Sequence, residues 1–159
     1  MKQEEVSSSQ LKIPFTSLKE PSDPAGKKIV VPPERLEFEI LSRKNQAEKW
    51  RDSPGELPDL ARDYRKICYD QSILIYLGFK KNLRPGCEIK IGEVIRSEHQ
   101  VLVRASFYSC QVDYALEVID LPYDLIRVSR AKLPARGTAI NFKFLNHREQ
   151  LINQVEKRI

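Results

Sequence analysis

Apolar and polar residues alternate along most of the chain after residue 70, and a period of two is the pattern of β-strands that bury one face. The segments EIKI, VLVRASF and AINFKF all alternate in this way, and the polar stretch RSEHQ between the first two predicts a hairpin. Gly92 lies where the alternation changes phase, which indicates a β-bulge. The run SILIYLGF at residues 72–79 is almost entirely apolar, so we expect a central strand covered on both faces.

Helices are predicted at two places outside these alternating segments. LEFEI at residues 36–40 predicts a further strand, and SRKNQAEKW follows it with Ser42 as a candidate N-cap and Trp50, the single tryptophan, on one face. In HREQLINQVEKRI, Leu151, Val155 and Ile159 recur at four-residue steps, the spacing of an amphipathic helix. The predicted fold class is α+β: a β-rich single domain, mostly antiparallel sheet, with a short Trp-bearing helix and a C-terminal helix.

Three regions are expected along the chain. Residues 1–33 hold five of the ten prolines and little periodic apolar pattern, which predicts an extended or partly disordered N-terminal arm. Within this arm, Pro32 and Pro33 cannot donate ladder hydrogen bonds, so residues 29–31 are expected to form at most an edge strand. Residues 34–145 are the predicted β-rich domain, and residues 146–159 are the predicted C-terminal helix.

Composition limits the size of the core and the classes of partner. With 159 residues and 41% hydrophobic content, the chain fits one domain with a single modest core. The 27 Lys and Arg against 22 Asp and Glu give a formal net charge of +5, spread without a run of five basic residues, so nucleic-acid binding is open but not favoured. No apolar stretch approaches the roughly 18 residues that a membrane span needs, so we expect a soluble chain with no transmembrane segment.

The residues that could carry catalysis or bind a metal form no recognisable motif. Cys68, Cys87 and Cys110 are odd in number and widely spaced, which gives no zinc pattern and leaves open whether any two of them form a disulfide. His99 and His147 have no Gly-flanked nucleophile near them in the sequence. The six glycines are scattered and form no phosphate-binding loop. We therefore predict no enzyme activity, no catalytic residue, no metal site and no cofactor.

The corner KKNLRPGC at residues 80–87 joins two well-patterned strands and admits two interpretations. It is either a solvated turn that keeps a strand end soluble, or a loop that presents cationic side chains to another protein, since connecting loops often carry recognition. In the second interpretation the cationic side chains contact acidic groups and the Pro-Gly pair sets the loop shape. The residues predicted to bind a partner are Lys80, Lys81, Asn82, Arg84, Pro85 and Gly86. The loop at residues 109–114 is the second-choice contact surface.

The order of the segments from residue 72 to residue 130 resembles the C-terminal domain of the protease-complex-associated PrcB proteins. The matching features are an apolar strand that ends in Leu-Gly, a strand of alternating Ile, a hairpin, and a closing strand that begins with Pro-Tyr. In this chain they are Leu77-Gly78, Ile89 and Ile91, Val101 and Val103, and Pro122-Tyr123 with Ile126 and Val128. At residues 84–87, Arg-Pro-Gly-Cys stands where the family has Thr-Gly-Gly-Tyr. Residues 37–50 are similar to the strand and Trp-bearing helix that often precede this domain.

The resemblance implies a non-enzymatic accessory protein of bacteria, exported or lipid-anchored, that stabilises or regulates a protease complex. We therefore predict a protein-binding accessory module whose partner is a protease or its complex. By analogy of loop and fold with chagasin-like protease inhibitors, a blocking function is conceivable. Two alternatives stay open: a nucleic-acid-binding β-domain, and a structural subunit held in a larger assembly through its N-terminal arm and C-terminal helix. The resemblance implies an extracytoplasmic location, whereas a complete chain would be cytoplasmic.

Overall fold

The computed structural model describes residues 10–19, 26–43, 46, 67–79, 88–109 and 123–159. These residues form ten β-strands in two sheets, with short 3-10 turns at Pro33–Arg35 and Arg130–Lys132. The first sheet has the strand order β1 (Gln10–Lys12), β6 (Glu88–Ser97), β7 (Gln100–Tyr108), β9 (Ala139–Leu145) and β10 (Leu151–Arg158), and β3 (Lys28–Ile29) pairs with the C-terminal end of β7. The second sheet has the order β2 (Phe15–Ser17), β8 (Tyr123–Ser129), β5 (Ser72–Phe79) and β4 (Leu36–Leu41). The strand pairs are antiparallel except β7 and β9, which are parallel.

The inward faces of the two sheets enclose one hydrophobic core. Successive residues of a strand point to opposite faces, so an alternating segment buries every second side chain. Val101, Val103 and Phe107 of β7 and Phe142 and Phe144 of β9 are fully buried in this core. The alternating segments that form β4, β6, β7 and β9 are therefore confirmed as half-buried strands.

Strand β5 is buried on both faces, as its apolar run predicts. Ile73, Ile75 and Leu77 point into the core between the sheets. Leu74 and Tyr76 point to the opposite face, where they form a second hydrophobic cluster with residues of β4 and β8. Because β5 lies between β8 and β4 in its sheet, it is a central strand.

The predicted hairpin and the predicted bulge are both present. Strands β6 and β7 pair along their length and are joined by a short turn at residues 98–99. Their register shifts between Ile91 and Glu93, at Gly92, where the sequence changes phase. A bulge adds one residue to one strand. Here it allows Ile91 and Val94, an odd number of residues apart, both to be buried in the core.

A buried carboxylate ties β8 to β6 beside the bulge. Asp124 is 5% exposed, and its Oδ2 accepts a hydrogen bond from the N–H of Ile91 at 2.6 Å. Its Oδ1 accepts a hydrogen bond from the N–H of Leu125 at 2.8 Å. Burial raises the pKa of the Asp124 carboxyl above its ordinary value, and the two hydrogen bonds oppose that rise because they favour the charged form. The carboxylate thus pairs with a backbone donor of a strand in the other sheet.

The N-terminal segment joins the two sheets at one margin. Strand β1 pairs with β6 and β2 pairs with β8, so the chain passes from the first sheet to the second at Ile13 and Pro14. Ile13 is buried, and its N–H donates to Val94 O at 2.8 Å. At the opposite margin, Lys157 Nζ of β10 donates to Ile40 O of β4 at 3.1 Å. The described strands of the predicted N-terminal arm therefore belong to the two sheets.

The predicted α+β class is wrong, because the described residues contain no helix of seven residues or longer. The predicted C-terminal helix is strand β10, antiparallel to β9. Leu151, Val155 and Ile159 are spaced by four residues, and a four-residue step returns a side chain to the same face in a strand as well as in a helix. In the strand, Ile152 is 7% exposed and Leu151 is 52% exposed, because the register shifts between Leu151 and Asn153.

The predicted Trp-bearing helix is not seen among the described residues, and Trp50 itself lies outside them. Ser42, its candidate N-cap, is buried directly after β4. Gln46 Oε1 accepts hydrogen bonds from the N–H groups of Ser42, at 2.6 Å, and Arg43, at 2.8 Å. These two bonds satisfy backbone donors at the end of β4. The described fold is a two-sheet, all-β structure.

Candidate partner-binding groove

A groove of about 460 Å³ opens on the second sheet, at the end where β5 begins and β8 ends. Its floor is formed by residues of β2, β8 and β5, and its wall by the turn that precedes β5. Ligand sites typically occupy roughly 300–1,000 Å³, so the groove is large enough to hold part of a partner molecule. The lining residues are Pro14, Phe15, Thr16, Ile67, Cys68, Gln71, Ser72, Arg127 and Ser129.

The register of the second sheet brings the polar floor residues together. Thr16 lies opposite Arg127, and Ser129 lies opposite Ser72. Arg127 and Ser129 flank the fully buried Val128 in the chain, so they point to the other face of the sheet, away from the core. Because the core fixes the strands from their inner face, these polar groups are carried on a rigid support.

The wall of the groove is the turn at residues 68–71, and Arg130 holds it in place. Within the turn, Cys68 O accepts a hydrogen bond from the N–H of Gln71 at 3.1 Å. The backbone N–H of Arg130 donates to Gln71 O at 2.8 Å, and its Nε donates to Tyr69 O at 2.6 Å. Burial lowers the pKa of the Arg130 guanidinium, although an arginine stays charged in proteins. Arg130 therefore fixes the wall without lining the groove.

Arg127 is the one charged residue among the described lining residues. Its guanidinium has no hydrogen bond and no ion pair within the described part of the chain. The other polar lining residues include Thr16, Ser72 and Ser129, which carry hydroxyl groups, and Gln71, which carries a side-chain amide. Ser129 Oγ accepts one backbone hydrogen bond, at 3.3 Å, which leaves its hydroxyl proton free to donate. The groove therefore presents one positive charge and several neutral donors.

The residues predicted to bind a partner lie outside the described part of the chain. They are Lys80, Lys81, Asn82, Arg84, Pro85 and Gly86. The strands on either side of them, β5 and β6, belong to different sheets and do not pair as a hairpin. Strand β5 begins at the groove and ends just before residue 80, and its eight residues span about 23 Å. The groove and the start of the predicted loop are therefore at opposite ends of β5.

Of the second-choice loop at residues 109–114, the structure describes only Ser109. Its N–H donates to Lys27 O at 2.8 Å, and its Oγ accepts a hydrogen bond from the N–H of Lys27 at 3.2 Å. The first residue of this loop is thus tied to the segment before β3. The loop does not contribute a described residue to the groove.

The cysteines and histidines considered for catalysis are dispersed as far as the structure describes them. Cys68 is exposed and unpaired, whereas Cys87 and Cys110 lie outside the described residues. His99 lies in the turn between β6 and β7, His147 lies between β9 and β10, and neither lines the groove. Over the described ranges, no group of three or more His, Cys, Asp or Glu side chains could hold a metal ion.

Local sequence does not predict the groove, although part of its signal lies in one segment. YDLIRVSR predicts a strand through its buried residues, and its outward residues Arg127 and Ser129 belong to the groove floor. Outward polar residues on a single strand are typical of any solvated face. Only the register of β2, β8 and β5 places them beside one another, and this register depends on pairings between residues far apart in the chain.

The fold and the groove define a two-sheet, all-β protein with a polar groove on the outer side of one sheet. Comparisons with protein-family models, with curated proteins and with solved structures give no match to this chain. In the ranges that the structure describes, no helix has the length and apolarity needed to cross a membrane.

Proposed function

We propose that this chain is a non-enzymatic protein-binding accessory module, and that the groove around Arg127 is a contact surface for its partner. The observation that carries the proposal is an exposed, unpaired Arg127 beside hydroxyl-bearing residues, on strands whose other faces are packed in the core. The backbones of these strands are held by the core and need no ordering when a partner segment docks, so the conformational entropy lost there is that of the side chains. The groove is therefore suited to recognition.

A protease or a protease complex is the first partner to test. The support is the resemblance of residues 72–130 to the PrcB C-terminal domain. The predicted loop at residues 80–87 stays a second candidate surface, because Lys80, Lys81 and Arg84 are cationic. It follows the end of β5 that is remote from the groove, so the two surfaces can be tested separately.

Affinity capture from the native cell with charge-reversal variants of the full chain tests the proposal. Arg127→Glu changes the groove, and the combination of Lys80→Glu, Lys81→Glu and Arg84→Glu changes the loop. Lys143→Glu is the matched control, because Lys143 lies on the other sheet, in β9, opposite Leu102 of β7. We expect Arg127→Glu to lower recovery of a specific protein partner by about tenfold or more, as for a residue at the centre of an interface. Lys143→Glu should leave recovery unchanged.

The other outcomes of this experiment are equally informative. Equal recovery of the same partner by all variants would contradict both candidate surfaces. Loss of the partner in the loop variant alone would move the contact surface to residues 80–87 and leave the accessory role in place. Recovery of nucleic acid, with an affinity that falls steeply with salt concentration, would favour a nucleic-acid-binding β-domain instead.

A further inference from the structure

We infer that the groove recognises a carboxylate, presented to Arg127 by an acidic side chain or by the C-terminus of a partner polypeptide. The inference rests on the proposed function and names the chemical group that this surface would take from its partner. It depends on three features of the groove: its charge, its neutral donors and its apolar side.

The charge of the groove matches that of a single carboxylate. Elsewhere in the molecule, Arg104 pairs with Glu93 and Glu149, so its charge is compensated within the chain. Arg127 has no such partner in the described part of the chain, and no acidic residue is among the described lining residues. A guanidinium offers a planar fork of donors that fits the two oxygens of a carboxylate. One positive charge fits this monoanion better than the charge of about −2 on a phosphate group.

The neutral donors lie on β8 itself and on the two strands that pair with it. Thr16 is directly opposite Arg127 on β2, and Ser72 and Ser129 form the next cross-strand pair along β8 and β5. Their hydroxyl groups and the Gln71 amide can donate hydrogen bonds to the same carboxylate or to the peptide groups beside it. Because these residues lie on or directly beside paired strands, their backbone positions relative to Arg127 are set before an anion binds.

The apolar part of the lining indicates that the carboxylate belongs to a larger molecule. Pro14 and Ile67 line the groove together with the polar residues, whereas the side chain of Phe15, opposite Val128, packs against the core. A free inorganic anion has no surface to bury against them, whereas the methylene groups of a glutamate or an apolar C-terminal residue do. The groove therefore combines an ionic contact with a small apolar contact, which is the combination that a peptide can satisfy.

Titration of the isotopically labelled full chain with small probes, followed by NMR, tests the inference. N-acetyl-glutamic acid α-amide carries only a side-chain carboxylate and is compared with N-acetyl-glutamine α-amide. N-acetyl-leucine carries only a terminal carboxylate and is compared with N-acetyl-leucinamide. We expect at least one acid to shift the signals of Arg127 Nε–H and of the Thr16 and Ser72 amides, and the acid that binds more tightly identifies the source of the carboxylate. The neutral amides should shift them at least about tenfold less at equal concentration.

Variants of Arg127 separate recognition by the guanidinium from general attraction to positive charge. Arg127→Gln should weaken binding of the acid at least about tenfold. The affinity of Arg127→Lys should lie between those of Arg127→Gln and the wild type, because lysine keeps the positive charge and loses the planar fork of donors. Lys143→Gln is the control and should bind as the wild type does. Equal binding by Arg127→Gln, equal shifts with acids and amides, or tighter binding of inorganic phosphate would overturn the inference.

The two proposals fail in different ways. If Arg127→Glu loses the captured partner but no acid shifts the groove signals, the partner-binding surface stands and carboxylate recognition is wrong. If the acids bind through Arg127 but Arg127→Glu captures the same partner as the wild type, carboxylate recognition stands and the groove is not the surface that holds that partner.

Discussion

Asp124 connects the two sheets through a single buried side chain. Its carboxylate accepts hydrogen bonds from the N–H groups of Ile91 and Leu125. Removal of both acceptors leaves buried donors without partners, at a cost of about 1–3 kcal/mol. We expect Asp124→Ala to lower the free energy of unfolding by this amount and Asp124→Asn, which keeps one acceptor, to lower it less. Urea denaturation measures both, and a loss in Asp124→Ala no larger than the ~0.5 kcal/mol of a surface substitution would contradict the role given to the carboxylate.

The same residue makes stability depend on pH. Burial raises the pKa of Asp124 in the folded state, so the folded chain binds this proton more tightly than the unfolded chain. The unfolding free energy of the wild type should therefore fall, relative to that of Asp124→Asn, as the pH rises from the ordinary pKa of an aspartic acid through the raised pKa. Above the raised pKa, the difference between the two proteins should stay constant. Urea denaturation of both proteins at a series of pH values measures this. A shift of the opposite sign would mean that the hydrogen bonds outweigh burial and lower the pKa.

The individual strands are the elements that local sequence predicts best. Alternating polarity gives β4, β6, β7 and β9, the apolar run gives β5, and the change of phase at Gly92 gives the bulge, because each depends on residues close together in the chain. The predicted C-terminal helix is wrong because a four-residue spacing fits both a helix and a strand. The pairing with β9 makes the segment a strand. This contact lies outside the segment, so the segment's own pattern does not predict it.

Two neighbouring residues of β10 distinguish the strand from the helix that its spacing suggested. Ile152 is buried and Leu151 is exposed in the strand, whereas an amphipathic helix with Leu151, Val155 and Ile159 on one face would bury Leu151. We expect Ile152→Ala to lower the free energy of unfolding by about 2 kcal/mol or more. Leu151→Ala should lower it by about 0.5 kcal/mol or less. Chemical denaturation gives both values, and the reverse order would contradict the strand register.

The arrangement of the whole molecule lies beyond what the sequence alone predicts. The N-terminal segment contributes strands of two or three residues, too short to produce a pattern, yet β1 and β2 join the sheets. The parallel pairing of β7 with β9 also leaves no local signal. The groove depends on these long-range arrangements, since Thr16 and Arg127 are distant in the chain and adjacent in the sheet. The sequence therefore predicts which residues face outward, but it does not predict which of them are neighbours across paired strands.

Site-specific photo-crosslinking in the native cell tests most directly whether the groove faces a partner protein. A photo-reactive residue at Thr16 reports on the groove, and one at Gln154, an exposed polar residue of β10 in the other sheet, is the matched control. We expect the Thr16 position to crosslink to one protein, the Gln154 position not to do so, and Arg127→Glu to abolish the Thr16 product. Crosslinking of that protein from Gln154 and not from Thr16, or a Thr16 product that persists in Arg127→Glu, would contradict the proposal.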